Sequence, residues 1–272
     1  MSDTKNKLHI RLERPEDHFA VESITREAHW DGHWDMEPTI DDTHLLVHKL
    51  RQSPSYVPEL HYVAELDGKL VGHILYTIGK IVDDSNTAHE VLTFGPLSVL
   101  PDYQHMGIGK ALMHFTFEKA RQMSHHGILI FGHPDYYPRI GFRRAAEFGI
   151  TTSDGTNFDP FMAFPLYDNA FDGISGRFYI DPIFDNLTQE EALAFDKQFP
   201  PKEIGTPISI RVLLDRLSPP AQKALDDLKD RALFIMQTKS ERELSSLAGI
   251  DTHAIETIRT VMREHGRRWG TQ

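Results

Sequence analysis

The stretch Asp102-Tyr-Gln-His-Met-Gly-Ile-Gly-Lys110 follows an apolar run, Val91 to Leu100. It leads into a segment where Ile108, Ala111, Leu112 and Phe115 fall at helical spacing. A helix that starts at a glycine turn presents unpaired N–H groups and the positive end of its dipole, and the missing side chains at Gly107 and Gly109 let an anion reach them. The dipole alone is worth about 0.3–1 kcal/mol for an exposed charge, so several direct N–H bonds must carry any affinity. Otherwise such glycines only turn the chain. Residue 112 is Leu where a dinucleotide fingerprint needs its third glycine, and no lysine–serine pair follows, which removes two phosphate-binding readings. A second chemical cluster, His-Trp-Asp-Gly-His-Trp-Asp, sets His29 and His33 four apart with Asp31 and Asp35, a spacing that on a helix can hold a metal. Gly32 weakens that helix and no His-Glu-x-x-His occurs, so the expected role is to wall a substrate pocket, with no metal.

The elements that position these residues read as follows. The run that begins at Leu8 suits a short strand, and Pro15, Glu16 and Asp17 open a helix whose Val21, Ile24 and Ala28 share one face. A second helix fills residues 41–52, before Pro54. Two β-rich runs meet at Asp67-Gly68, the composition of a tight hairpin. The order strand, helix, strand from Val91 through the glycine turn to a buried strand at Gly127 implies parallel pairing. Residues 151–186 suggest short strands and turns; beyond about Leu187 the pattern is helical and broken by Pro200, Pro201, Pro207, Pro219 and Pro220.

The wider context resembles the GNAT acetyltransferase superfamily. Leu97-Ser-Val-Leu-Pro101 followed by Gln104, Gly107 and Gly109 looks like its first signature, and Tyr137, Arg139, Gly141 and Phe142 look like its second. The form is closest to a bacterial branch of predicted acetyltransferases, and the likeness runs from about Leu8 to Asn186. It implies an α/β fold: a mixed, mostly antiparallel twisted sheet flanked by helices, here followed by a small all-α carboxyl-terminal domain. The expected division is residues 1–186 acetyltransferase, 187–207 linker and 208–272 helical. By the same resemblance acetyl-CoA is the cosubstrate, its pyrophosphate on Gln104, His105, Met106, Gly107, Ile108, Gly109 and Lys110, and Leu97 and Val99 lie along the pantetheine.

The chain has no cysteine, so transfer to an amine is expected to be direct. Tyr137 is the candidate to stabilise the departing thiolate, by hydrogen bonding or concerted transfer, since a phenol near pKa 10 gains nothing by prior proton loss to a thiol near 8.5. Many relatives carry a glutamate on the strand before the turn, but Thr93, Phe94, Gly95 and Pro96 offer none. His133 and His73 are the candidate bases, with a water chain as the alternative.

From Thr238 the sequence reads as two helices around Gly249-Ile250, with a Ser240–Glu243 capping-box spacing and Leu244, Leu247, Ile255, Ile258 and Val261 apolar. It resembles a helix-hairpin-helix unit, which raises nucleic acid as a partner. A net charge of −11 opposes that reading despite Arg263, Arg267 and Arg268, and packing or formation of a homodimer is the expected role. No apolar run long enough for a signal peptide or a membrane span occurs, so the expectation is a cytoplasmic enzyme with an amine acceptor. A coenzyme-binding adaptor without catalysis is the rival.

Overall fold

The computed structural model describes residues 8–30, 40–134, 136–202, 209–226 and 241–265. Two compact units are formed, one from residues 1–29 and 42–199 and one from 30–41 and 200–272. Among the described residues no helix is long and apolar enough to cross a membrane.

In the first unit β1 (Leu8–Leu12) leads through a tight turn at Pro15–Asp17 into α1 (His18–His29), and α2 (Thr43–Leu50) follows. Pro15 and Asp17 open α1 less directly than their placement suggests. Asp17 turns back to accept from the Arg14 N–H and from both terminal nitrogens of Arg11, which pins the helix start to β1. Next come β2 (Tyr62–Leu66), β3 (Lys69–Val82), β4 (Ala88–Val99), α3 (Ile108–Gln122) and β5 (Gly127–Phe131). The short β6 (Arg143–Arg144), β7 (Ile150–Thr152), β8 (Phe161–Pro165) and β9 (Gly176–Tyr179) complete the sheet, and α4 (Gln189–Asp196) closes the unit. The sheet order is β1-β2-β3-β4-β5-β8-β6, with β9 on the far end of β3 and β7 beside β9. All pairs are antiparallel except β4–β5 and β7–β9, so the sheet is mixed and mostly antiparallel, with the expected parallel pair across α3.

The β2–β3 hairpin turns through Asp67 and Gly68, whose φ values of 51° and 79° are the left-handed pair such a two-residue turn needs. Strand alternation then sorts side chains onto two faces. Tyr62, Ala64, Ile74 and Tyr76 face α3 and share an apolar core with Ile108, Leu112, Met113 and Phe117. The buried stripe of α3 runs through those four with Thr116 and Ala120, leaving Ala111 and Phe115 at its margin; Tyr76 Oη and Thr116 Oγ1, 2.8 Å apart, tie the helix to β3. Val63 and Leu75 face the other way, onto Val21 of α1 and Val47 and Leu50 of α2. This second face also buries charge, described below.

The second unit holds α5 (Arg211–Leu214), α6 (Pro219–Ala224), α7 (Glu241–Ser245) and α8 (Thr252–Glu264) around Ile210, Leu213, Ala221, Leu244, Ile258 and Val261. Leu247 is exposed rather than buried. Gly249 sits at φ 102°, and a Cβ there would lie 2.6 Å from the Pro220 carbonyl oxygen, so the turn between α7 and α8 requires glycine twice over. Asp251 caps α8 by accepting from the Ala254 N–H at 2.8 Å. The Ser240–Glu243 capping box, Arg267 and Arg268 lie outside what is described. The segment 187–207 contains α4, and the two units divide after Phe199.

Candidate functional site

The site forms where β4 and β5 part. These strands share one registered pair, Leu92 with Ile128, while β4 continues to Val99 and β5 ends at Phe131. From Gly95 onward β4 therefore carries a registered partner only on its β3 side, where a register shift opposite Ile74–Tyr76 marks a bulge that turns the strand away. An open sheet offers its ligand crevice outside the carboxyl ends of parallel strands, and this is such a place.

Across it lies the glycine turn. His105 and Gly107 both adopt left-handed backbone, at φ 61° and 81°. For a residue with a Cβ that conformation costs about 1–3 kcal/mol, so His105 stores strain that the turn holds. The first helical bond of α3 runs from the Ala111 N–H to the Gly107 carbonyl at 2.9 Å, so the N–H groups of Ile108, Gly109 and Lys110 open the helix without an intrahelical acceptor. His105, Met106, Gly107 and Lys110 are exposed, and Ile108 buries its side chain in the core and leaves only its backbone to the turn. Gly109 needs to be glycine for neither packing nor backbone reasons: a Cβ there would meet nothing nearer than Leu97 at 3.7 Å and Val99 at 3.8 Å. Leu97 and Val99 are thus brought beside the turn as half-buried apolar walls. Gln104 plays a holding part, its Nε2 donating to the Val99 carbonyl at 3.1 Å.

Tyr137 stands on the α3 side of the crevice. The His133 carbonyl accepts from the Tyr136 and Tyr137 N–H groups and so starts the short helical turn Tyr137–Ile140. The Tyr137 ring packs between Phe94, at 6.0 Å, and Phe142, at 5.4 Å between centroids, and lies against Gly132, where a Cβ would come within 2.3 Å of it. Its hydroxyl has no hydrogen-bond partner among the described residues, and burial, with Tyr136 adding, raises its pKa above the ordinary phenol value. The group is therefore an O–H donor at any physiological pH. The side chain of His133, the other expected catalytic residue, is half-buried beside that turn, and its main chain is what positions Tyr137.

His73 is enclosed. Its Nε2 lies 2.7 Å from Thr25 Oγ1 and its Nδ1 3.3 Å from His61 Nε2, in a buried polar network between the sheet and α1–α2. His61 Nδ1 lies 2.8 Å from Glu13 Oε2, and Arg51 grips Glu13 through two nitrogens and Glu22 through a third. Burial pulls both imidazoles below the ordinary value, for His61 against the opposing pull of Glu13 and for His73 with further lowering from His61 and Arg51. The alternation of β2 and β3 places His61 and His73 on one face with Val63 and Leu75, a signal the sequence contained, but the partners on β1, α1 and α2 could not be read from it. His29 Nε2 lies 3.1 Å from Ser98 Oγ on β4. Among the described residues no group of three His, Asp or Glu could hold a metal; His33, Asp31 and Asp35 lie outside them.

The domain is thus a mixed α/β sheet split at the carboxyl ends of its parallel strands, with a glycine turn opening a helix beside the gap. Residues 25–144 match the acetyltransferase (GNAT) family model. The uncharacterized N-acetyltransferase YjhQ of Escherichia coli K12 is 39% identical over 103 residues, which are 37% of this chain and 55% of YjhQ. The chain thus spans little more than half of that relative. The uncharacterized N-acetyltransferase YhbS of the same organism is 22% identical over 61% of this chain and 92% of its own. The crystal structure of Escherichia coli YhbS in complex with CoA superposes with a TM-score of 0.59 at 21% identity, covering 70% of this chain and 98% of that one. A GNAT family acetyltransferase from Brucella melitensis in complex with acetyl-CoA gives 0.52 at 25% identity, covering 66% and 100%.

Proposed function

We propose that the chain is an acetyl-CoA-dependent N-acetyltransferase that moves the acetyl group directly to an amine. One observation carries this reading: the turn from Gln104 to Lys110 opens α3 with three amides that have no intrahelical acceptor, and Gly109 lies beside Leu97 and Val99, on the part of β4 that has no registered partner on its β5 side. Backbone N–H groups of His105 to Lys110 suit a pyrophosphate, and the open side of β4 beyond Gly95, walled by Leu97 and Val99, suits an extended amide-bearing arm. The neutral phenol of Tyr137 then meets the charge that develops on sulfur as the C–S bond breaks. Placed on the α3 side, it donates a hydrogen bond to the leaving group and need not give up its proton first. The acceptor is an amine, and the net charge of −11 favours the approach of a cationic one. In the second unit Arg259 pairs with Glu241 and Arg216 with Glu264, which supports packing over nucleic-acid contact as its role.

Calorimetric titration of acetyl-CoA tests the reading. Wild type should bind, and Gly109→Asp, a position where a side chain meets no protein clash, should weaken binding at least about tenfold, the loss of one charge-assisted contact or about 1.4 kcal/mol. Absence of wild-type binding would overturn it: the glycines would then only turn the chain, and the adaptor and nucleic-acid readings would move ahead.

A further inference from the structure

The amine must be carried on some molecular body, and the two faces of the sheet say where that body can lie. Leu97, Val99 and Tyr137 pack on the α3 side, together with Phe94 and Phe142, so that side of the gap is closed and apolar. The other face is left for the acceptor. There β4 carries Gly95, whose φ is not left-handed and where a Cβ would meet, among the described residues, only the Phe184 ring at an ordinary 3.4 Å. Neither backbone nor packing asks for glycine, and a glycine of that kind in a strand leaves room for a close approach. Phe184 is fixed in place because Asp181, opening the same turn, accepts from Ser55 Oγ at 2.5 Å, from Ser53 Oγ and from the Ile183 N–H at 2.8 Å. On β5, three residues beyond the pair Leu92–Ile128 and so level with Gly95, stands Phe131. Ile128 and Ile130 face α3, whereas Phe131 faces away: its ring stacks on Phe161 at 4.9 Å and lies nearly parallel to Phe158, at 5.8 Å and 10°. Phe131 and Phe158 are each 48% exposed.

We infer that the acceptor is an aromatic amine, its flat body against Phe131 and Phe158 and its aminoalkyl arm passing over Gly95 to the gap. The inference rests on the acetyl-transfer reading above and names its substrate class. Size points to a small molecule: two half-exposed rings offer on the order of 200 Å² of apolar surface, against about 800 Å² per partner in a stable protein interface. Shape points to an aromatic one, since a stacked pair presents ring faces and edges that a third ring matches better than an aliphatic chain does. Charge opposes a polyamine, whose second cation would rest on the patch. The carboxylate next to Phe158 in the chain, Asp159, is already paired with Arg144 at 3.0 Å. In the transfer the amine lone pair forms the C–N bond as the C–S bond breaks, the C–S pair leaves on sulfur, and the N–H proton goes to water at the exposed mouth. Acceptor and Tyr137 therefore stand on opposite faces of the sheet, attack from one side and departure toward the other.

Thiol release from acetyl-CoA by the full-length chain, measured with 2-phenylethylamine, hexylamine and putrescine, tests this, beside calorimetric titration of acetyl-CoA into each variant. In wild type kcat/KM for 2-phenylethylamine should exceed that for either aliphatic amine at least tenfold. Phe158→Leu, which keeps apolar area and removes the ring at an exposed position, should cut that preference about fivefold, the worth of one ring pair, while acetyl-CoA still binds. Phe158→Tyr should retain the preference. A smaller preference in wild type, an undiminished one in Phe158→Leu, or no turnover of 2-phenylethylamine by protein that binds acetyl-CoA overturns the inference. Failure of wild type to bind acetyl-CoA would instead bring down the coenzyme reading, and this inference with it.

Discussion

Lowering the pH from 7 to 5.5 should unlock the sheet from its α1–α2 side. His61 and His73 are both fully buried, and burial holds each below the value near 6.5 that it has in the unfolded chain. Because the folded values are the lower ones, the unfolded chain takes up protons first. The stability these groups leave intact is whole above about pH 6.5 and is lost as pH falls through that value toward the folded ones. Between pH 7 and 5.5 an unfolded histidine goes from about one quarter to about nine tenths protonated, and integrating that uptake sets a ceiling of about 1.25 kcal/mol per group, reached when the folded ring takes up no proton. His125, also lowered by burial, adds in the same sense, whereas Glu13, held below its usual value of 4.5, loses its contribution only at more acidic pH. Hydrogen exchange of the Val63 and Leu75 amides reads the opening free energy of this unit alone, so the helical unit does not confuse the result. His73→Gln keeps a donor for Thr25 and removes one titrating group, and should cut the pH-dependent loss by about half whatever it does to stability at pH 7. A wild-type difference under about 0.5 kcal/mol between the two pH values would refute the reasoning, since one proton is worth about 1.4 kcal/mol per pH unit.

Other perturbations separate the parts of the site. Tyr137→Phe keeps the ring packing and should lower kcat about 100-fold with acetyl-CoA affinity unchanged, read by thiol release with an accepted amine. Gly132→Ala forces its methyl into the Tyr137 ring and should cost about 1–3 kcal/mol in urea unfolding along with turnover. Arg51→Met leaves Glu13 and Glu22 buried without their cation and should cost about 3–5 kcal/mol, most of it restored when both glutamates are also made Gln.

The parts of this molecule legible in its sequence are those whose physics is local. Asp67-Gly68 announces a hairpin because only such residues accept two left-handed positions in a row, and Gly107 announces a helix start for the same steric reason. The two signatures around α3 then set the fold from about thirty residues. The α1–α2 face could not be read in the same way. Glu13 and Arg51 are separated by 38 residues and Arg26 and Asp196 by 170, and nothing in the neighbourhood of either pair tells that they meet. His29 shows the cost most plainly: four residues from His33 it suggests a metal, and only the fold brings it to Ser98.

The parting of β4 from β5 has a bearing on handling as well. From Gly95 to Val99 the strand exposes one side of its backbone in the interior of a sheet, where a neighbour would ordinarily lie. Such an edge is a template for any extended chain, including a copy of itself. The apoprotein should therefore self-associate as its concentration rises, and extended molecules rich in amides should keep it dispersed where compact salts of equal charge do not.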